Sequence, residues 1–286
     1  MVMIFTEVQP VQAAAPTSGL LVSAIRPRGE SEQDWVNGFA WRTERCPTWQ
    51  GYDPCDVLNS VPADDGNGLE YHRPVAYRVR DECTTLSGEF DTSRVERMAD
   101  AVASHVIAQE LWEGTLTQAN TYDTRDETGR TNNYLARDTA TVVGTGPYPV
   151  LEALGLLEEA ARRDAGGQQV VIHMPIRLVP EAETALVRNG NLLYTHTGAL
   201  VIADSGYTGT GPENEAVTDL IAWMYATGPV SVRMTSVDIG TDPRSTLDRS
   251  NNRRTVWANR VFAATFDPCT HYAIQAALPG VVPDPA

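Results

Sequence analysis

The chain has 286 residues, 42% of them hydrophobic, enough for one large domain or two moderate ones with a real core. Its net charge of −15 and sequence pI of about 4.7 argue against a dedicated nucleic-acid binder, because an acidic surface repels phosphate. All 22 basic residues are arginine, so chemistry that needs a lysine (Schiff bases, phosphate-binding loops of the P-loop type) is excluded.

Residues 1–50 read as an extended arm. Prolines at 10, 16 and 27 interrupt it, yet it carries Trp35, Phe39, Trp41 and Trp49. Aromatic side chains on a weakly patterned segment predict burial, either on the body of the fold or on a neighbouring molecule. Residues 51–69 are turn-rich. A strand follows, with Tyr71, Val75, Tyr77 and Val79 on one face and His72, Arg78 and Arg80 on the other. The stretch 38–49 is its expected antiparallel partner.

The strongest periodicity predicts a helix over 93–113, opened by a Ser93/Glu96 capping box and closed at Gly114. Its apolar stripe is Val95, Met98, Ala99, Val102, Val106, Ile107 and Leu111. At 1.5 Å per residue it spans about 30 Å. Residues 115–146 are polar and read as irregular, with Tyr134-Leu135 as a docking point. A second helix begins at Pro149, carries Val150, Leu151, Leu154, Leu157 and Ala161, and ends at Gly166-Gly167.

A buried strand is expected over 168–174, and a third helix over 180–189 stopped by Gly190. Two short strands, 192–195 and 199–203, come next. Residues 204–219 form a Gly-rich loop, read as mobile or as a contact loop. Strands 220–226 and 230–239 flank Thr227-Gly228-Pro229. After a polar loop over 241–252, a final strand pair, 254–266 and 271–278, turns at Asp267-Pro268.

Candidate chemistry is sparse. The four cysteines (Cys46, Cys55, Cys83 and Cys269) contain no CxxC pair and do not form a disulfide framework by spacing. Cys46, Cys55, His72 and Cys83 could converge on a metal, but their spacing fits no common zinc module, so no metal and no cofactor are expected. Cys269 and His271, two apart on a strand, point the same way without facing each other, which favours packing over a nucleophile–base pair. The loop Gly206–Pro212 lacks the residues of a phosphate cradle and is followed by Glu213 and Glu215. Asp123, Asp126, Glu127 and Asp138 match no calcium loop. No acid, base and nucleophile assemble, so no enzyme is expected. Residues 1–15 lack a basic leader, and no apolar run approaches a membrane span.

The order of these parts, together with Ala108–Gly114, Val201–Pro212, Ala222–Val230 and Phe262–His271, resembles the tailed-phage major capsid proteins of Hong Kong 97 type. The local wording is similar to that of actinobacterial phages, and the fold is shared with encapsulins. The resemblance implies an α+β fold with an N-terminal arm over 1–40, an E-loop hairpin over 41–90, a P-domain with its spine helix over 91–145, an A-domain over 146–228 and a return to the P-domain over 229–286. It implies a structural protein of the virion, made in the host cytoplasm. Copies of the chain would form pentamers and hexamers of an icosahedral shell around double-stranded DNA, with portal, scaffold or cement proteins as further partners. Trp35, Trp41 and Trp49 would be buried between subunits, and Arg42, Arg45, Arg73, Arg78 and Arg80 would meet acidic patches on the next copy. Shells of this type are welded in some cases by a lysine–asparagine bond, which this chain cannot form. An encapsulin-like cellular compartment, another virion component and a hydrolase using Cys269 are the alternative readings.

Overall fold

The computed structural model describes residues 18–26, 35, 39–42, 69–72, 74–84, 92–119, 133–136, 140–240, 247–248 and 253–279. The predicted loop at 51–68, Cys46, Cys55, the acidic residues at 123–127 and 138, and most of the polar loop over 241–252 lie outside that set.

Two large sheets, a separate two-stranded sheet and one long helix organise the described residues. Helix α1 (Leu20–Ser23) is a single turn, and α2 (Thr92–Glu113) is the long helix, starting one residue before the predicted cap. Ser93 therefore sits inside the first turn, where its hydroxyl accepts a 2.7 Å hydrogen bond from Arg97. The buried face of α2 runs through Val95, Ala99, Ala103, Ile107 and Leu111. Val102, predicted in the stripe, is exposed, and Ala103 takes its place because the contact face is one residue further round.

Strands β1 (Phe39–Arg42) and β2 (Leu69–His72) pair antiparallel, with Phe39 opposite His72 and Arg42 opposite Leu69, so the expected pairing with the stretch 38–49 holds for 69–72 and not for the rest of the predicted strand. Strand β3 (Val75–Thr84) then runs along β14 (Arg253–Phe266), Val75 opposite Phe262 and Thr84 opposite Arg253. On its other edge β14 takes β11 (Val230–Met234), β12 (Asp238–Gly240) and β13 (Leu247–Asp248), completing a five-stranded antiparallel sheet. Its inner face packs on α2. Tyr77 donates to the Ala99 carbonyl at 2.8 Å, and Arg260, itself buried, pairs with Asp100 at 2.7 Å.

The second sheet holds β4 (Thr141–Val142), β5 (Tyr148–Pro149), β6 (Val171–Pro175), β7 (Leu186–Asn189), β8 (Leu192–Thr195), β9 (Leu200–Asp204), β10 (Ile221–Thr227) and β15 (His271–Ala277). Its main path is β4-β15-β10-β6-β9-β8-β7, with β5 also on β15. Five buried residues in a row make β6 a central strand. Helix α4 (Val150–Ala165) covers one face through Val150, Ala153, Leu154, Leu157 and Ala161, and Gly166 ends it in the left-handed region. Each large side chain buried there contributes about 1.5–3 kcal/mol. Leu151, predicted on the stripe, is exposed.

Three expectations change. The helix predicted over 180–189 is a single turn, α5 (Val179–Ala182), followed by a 3-10 turn and then β7. Val187 favours a strand, and Asn189-Gly190, with Gly190 at φ +60, is a hairpin signal that turns β7 into β8. The final strands do not pair with each other: β14 belongs to the five-stranded sheet and β15 to the eight-stranded one. Residues 115–119, read as irregular, form a short helix, α3.

The predicted docking of Tyr134-Leu135 is present. Leu135 and Ala136 donate to the Leu111 and Trp112 carbonyls at 3.0 and 2.8 Å, satisfying the open end of α2. The buried Glu110 carboxylate folds past Gly114 to accept from the backbone of Leu116 and Thr117 at 2.6 and 3.1 Å, which caps α3. Tyr134 closes this knot by donating to the Thr117 hydroxyl at 2.6 Å.

Candidate assembly surface

Of the predicted contact residues, Arg78 and Arg80 lie on the outer face of the five-stranded sheet. Alternation along β3 places Val75, Tyr77 and Val79 inward and Arg78 and Arg80 outward. Arg78 lies across from Asn259, donates to its side-chain oxygen at 2.7 Å, and stacks 5.4 Å above the Trp257 ring. Arg80 pairs with Glu82 on the same strand face. Both guanidinium groups are exposed but already oriented within their own chain.

Trp35 and Phe39 form an edge-to-face pair 4.9 Å apart, and Arg233 of β11 stacks 4.9 Å from Phe39. Arg233 is registered with Ala263, which lies on the same outer face as Asn259 and Trp257. Ala263 is only 2% exposed, whereas Asn259 and Trp257 are half-buried. Phe39, itself buried, thus packs on the body of its own chain. The same holds for α1: Leu20 and Leu21 are buried against the core, and Ile25 bridges to Ser231. Trp41 and Arg42 stand on β1 opposite Glu70 and Leu69, where only the backbone is described. Trp49, Arg45 and Arg73 lie outside the described residues.

The loop over 204–219, read from sequence as mobile or as a contact, is a contact loop within the chain. Asp204 is buried and accepts from Leu20 N at 2.9 Å, from the Ser104 hydroxyl at 2.7 Å and from Gly206 N at 3.0 Å. One carboxylate thereby ties α1, α2 and the loop together. Thr208 donates to Glu113 at 2.6 Å, and Trp112 donates to Thr210. Sequence reasoning missed Asp204. Its signal is an Asp at a strand end two residues before a Gly, the pattern of an Asx turn.

Behind the loop, His173 is wholly buried between the Tyr207 and Thr227 hydroxyls, at 2.9 Å from each. Burial, reinforced by the nearby His271, pushes its pKa down to about 3. Burial also lowers His271 to about 4, against the opposing pull of the Leu135 carbonyl. Tyr207 and Tyr225 are pushed up by burial. These groups are neutral and hydrogen-bonded, which is the condition of a packed polar core. Cys269, read from sequence as a packing thiol, is disulfide-bonded. Among the described residues no group of three or more His, Cys, Asp or Glu could hold a metal, and no helix is long and apolar enough to cross a membrane.

No protein-family model and no curated protein matches the sequence. Solved structures do match it over nearly its whole length. The capsid of a native GTA particle computed with C5 symmetry aligns over 97% of this chain and 96% of its own, at 11% identity and a TM-score of 0.57. The capsid of Ralstonia phage GP4 aligns over 98% and 97%, at 10% identity and 0.51. A chain of Mycobacterium phage Che8 aligns over 96% of each, at 11% identity and 0.50. At such identities the likeness establishes the fold: the chain has the α+β, Hong Kong 97-type capsid architecture that its order of elements resembles.

Proposed function

We propose that the protein is a shell subunit, the major capsid protein of a tailed phage that encloses double-stranded DNA. The observation that carries this reading is the end-to-end match: at least 95% of both chains align with capsid structures. In this reading α2 and the five-stranded sheet are the P-domain, and the eight-stranded sheet with α4 is the A-domain. The A-domain then takes back residues 271–277, since β15 lies in its sheet. Residues 1–40 are the arm and 41–90 the E-loop region. Copies assemble into pentamers and hexamers. Arg78 and Arg80, held outward by Asn259, Trp257 and Glu82, meet carboxylates of the next copy, and Trp41, Trp49, Arg42, Arg45 and Arg73 extend the same contact. The protein acts by assembly, not by catalysis.

With no lysine, such a shell has no lysine–asparagine cross-link and holds by interlocking and by partner proteins. Its walls carry the chain's net negative charge, which keeps packaged DNA from adhering. Electron microscopy of the purified protein tests the reading: closed icosahedral particles are expected. A protein that stays monomeric both alone and with the scaffold protein of its own gene cluster would overturn it.

A further inference from the structure

Cys269 sits in the turn where β14 gives way to β15. Its amide donates to the Asp267 carboxylate at 3.0 Å, and its sulfur is in a disulfide. The chain has three other cysteines, Cys46, Cys55 and Cys83. A disulfide needs its two Cα atoms within about 7 Å, and Cys83 fails that test. On β3 it lies opposite Arg254, twelve residues before Phe266 on the unbroken strand β14. At roughly 3.4 Å per residue that is about 40 Å, and the three residues from Phe266 to Cys269 recover at most about 11 Å of it.

The other two cysteines belong to the stretch between β1 and β2, outside the described residues, but both flanking strands place that stretch at the Cys269 end of the sheet. His72 closes β2 three residues before Val75, and Val75 pairs with Phe262. β1 is laddered to β2, and its Phe39 stacks on Arg233, which is registered with Ala263, six residues from Cys269. Cys46 follows Arg42, the last residue of β1, by only four residues.

We propose that Cys269 is bonded to one of the two cysteines between β1 and β2, Cys46 or Cys55, and that this bond is a redox-set tether from that stretch to the crossing between the two large sheets. The bond forms when the two thiols lose two protons and two electrons to a small-molecule disulfide, which departs as two thiols. Reduced, residues 43–68 are held only through β1 and β2. Oxidised, they are also fixed to the turn at 267–270, where the backbones of Gly228 and Asp267 are already paired. In the shell reading these residues belong to the E-loop region, so subunits made in a reducing compartment assemble with it untied and oxidation fixes it afterwards. The order of these events rests on the shell reading, and the pairing of the cysteines does not.

Peptide mapping tests the pairing. Trypsin cuts after arginine except before proline, so Cys46 and Cys55 fall in peptide 46–78, Cys83 in 81–94 and Cys269 in 261–286. The full-length chain, treated with oxidised glutathione and then alkylated, should yield 261–286 joined to 46–78, and reduction should separate the two. Peptide 261–286 joined to 81–94, or recovered with an alkylated free thiol, would overturn the pairing. Non-reducing electrophoresis should show one band near 31.2 kDa, and a disulfide-linked dimer would overturn a bond within the chain. Limited proteolysis tests the tether: cleavage after Arg45 should be about tenfold slower in the oxidised wild type than in the reduced wild type or in Cys269→Ser. Equal rates in all three would overturn it. Closed particles whose Cys269 stays a free thiol after oxidation would overturn this inference and leave the shell reading intact, whereas a correct peptide map from a chain that never assembles would do the reverse.

Discussion

Acid should loosen this subunit through His173. The ring is fully buried, its two nitrogens are engaged by Tyr207 and Thr227, and its folded pKa is about 3 against an ordinary value of 6.5. The unfolded chain therefore binds a proton below pH 6.5 that the folded chain refuses until about pH 3. The stability this residue supplies is complete above pH 6.5, falls as pH drops, and levels off below about 3. Between pH 6.5 and about pH 5 the loss is about 2 kcal/mol, at about 1.4 kcal/mol per unit. The measurement is urea unfolding of the unassembled subunit at about pH 7.5 and about pH 5, for the wild type and for His173→Asn. The variant cannot take up this proton, so its stability should fall by about 2 kcal/mol less between the two conditions. Carboxylates and the half-buried His271 titrate in both proteins and largely cancel in the difference. Equal pH dependence in the two proteins would show that His173 is not held neutral by burial.

Other perturbations address the packing of the long helix and its anchors. Gly206 has no room for a side chain: a Cβ there would lie 2.1 Å from the His105 carbonyl oxygen and 2.7 Å from Gln109 N, both helix backbone. Gly206→Ala should cost about 3 kcal/mol or more by chemical denaturation, since the helix cannot yield. Asp204→Ala strands the Leu20 and Gly206 amides and the Ser104 hydroxyl. A loss of about 3 kcal/mol is expected, with faster proteolysis near residue 20, and a protease pattern like wild type would count against the anchor. Assembled particles boiled under reducing conditions should run as one band near 31.2 kDa, and a ladder of covalent multimers would refute a shell held by non-covalent contacts.

Much of the architecture was legible because local and tertiary preferences agree in it. The period-3.6 stripe of α2, the Pro149 start and Gly166 end of α4, and the alternation at 75–80 each describe a surface that packs as its pattern predicts. Failures occur where the deciding partner is distant in sequence. Residues 183–189 have a helix-compatible composition, but Asn189-Gly190 and pairing with β8 make 186–189 a strand. Strands 254–266 and 271–278 are adjacent and joined by a turn signal, so a hairpin is the local expectation. Pairing of β14 with β3, some 180 residues away, separates them. Of the contact surface, the outward placement of Arg78 and Arg80 was readable from alternation. The neighbours that hold them, Asn259, Trp257 and Glu82, were readable only in part, since just Glu82 is close in sequence.

That separation gives the subunit its mechanical unity. The chain passes between the sheets twice in their shared region, from β10 to β11 through Gly228 and from β14 to β15 through Asp267. The two passages are bonded to each other, Gly228 N to the Asp267 carbonyl at 3.2 Å and Asp267 N to the Pro229 carbonyl at 3.0 Å. Thr227, the last residue of β10 before the crossing, is one of the two hydroxyl partners of His173, and Tyr207 of the anchored loop is the other. The loop in turn holds α2 through Asp204 and Thr208. A load applied to either sheet thus reaches the other through paired backbone and a buried polar chain that runs through His173. Protonating His173 would place a charge in that joint, so loosening by acid should appear in both sheets together. Two separable unfolding transitions would be the outcome if the sheets were independent.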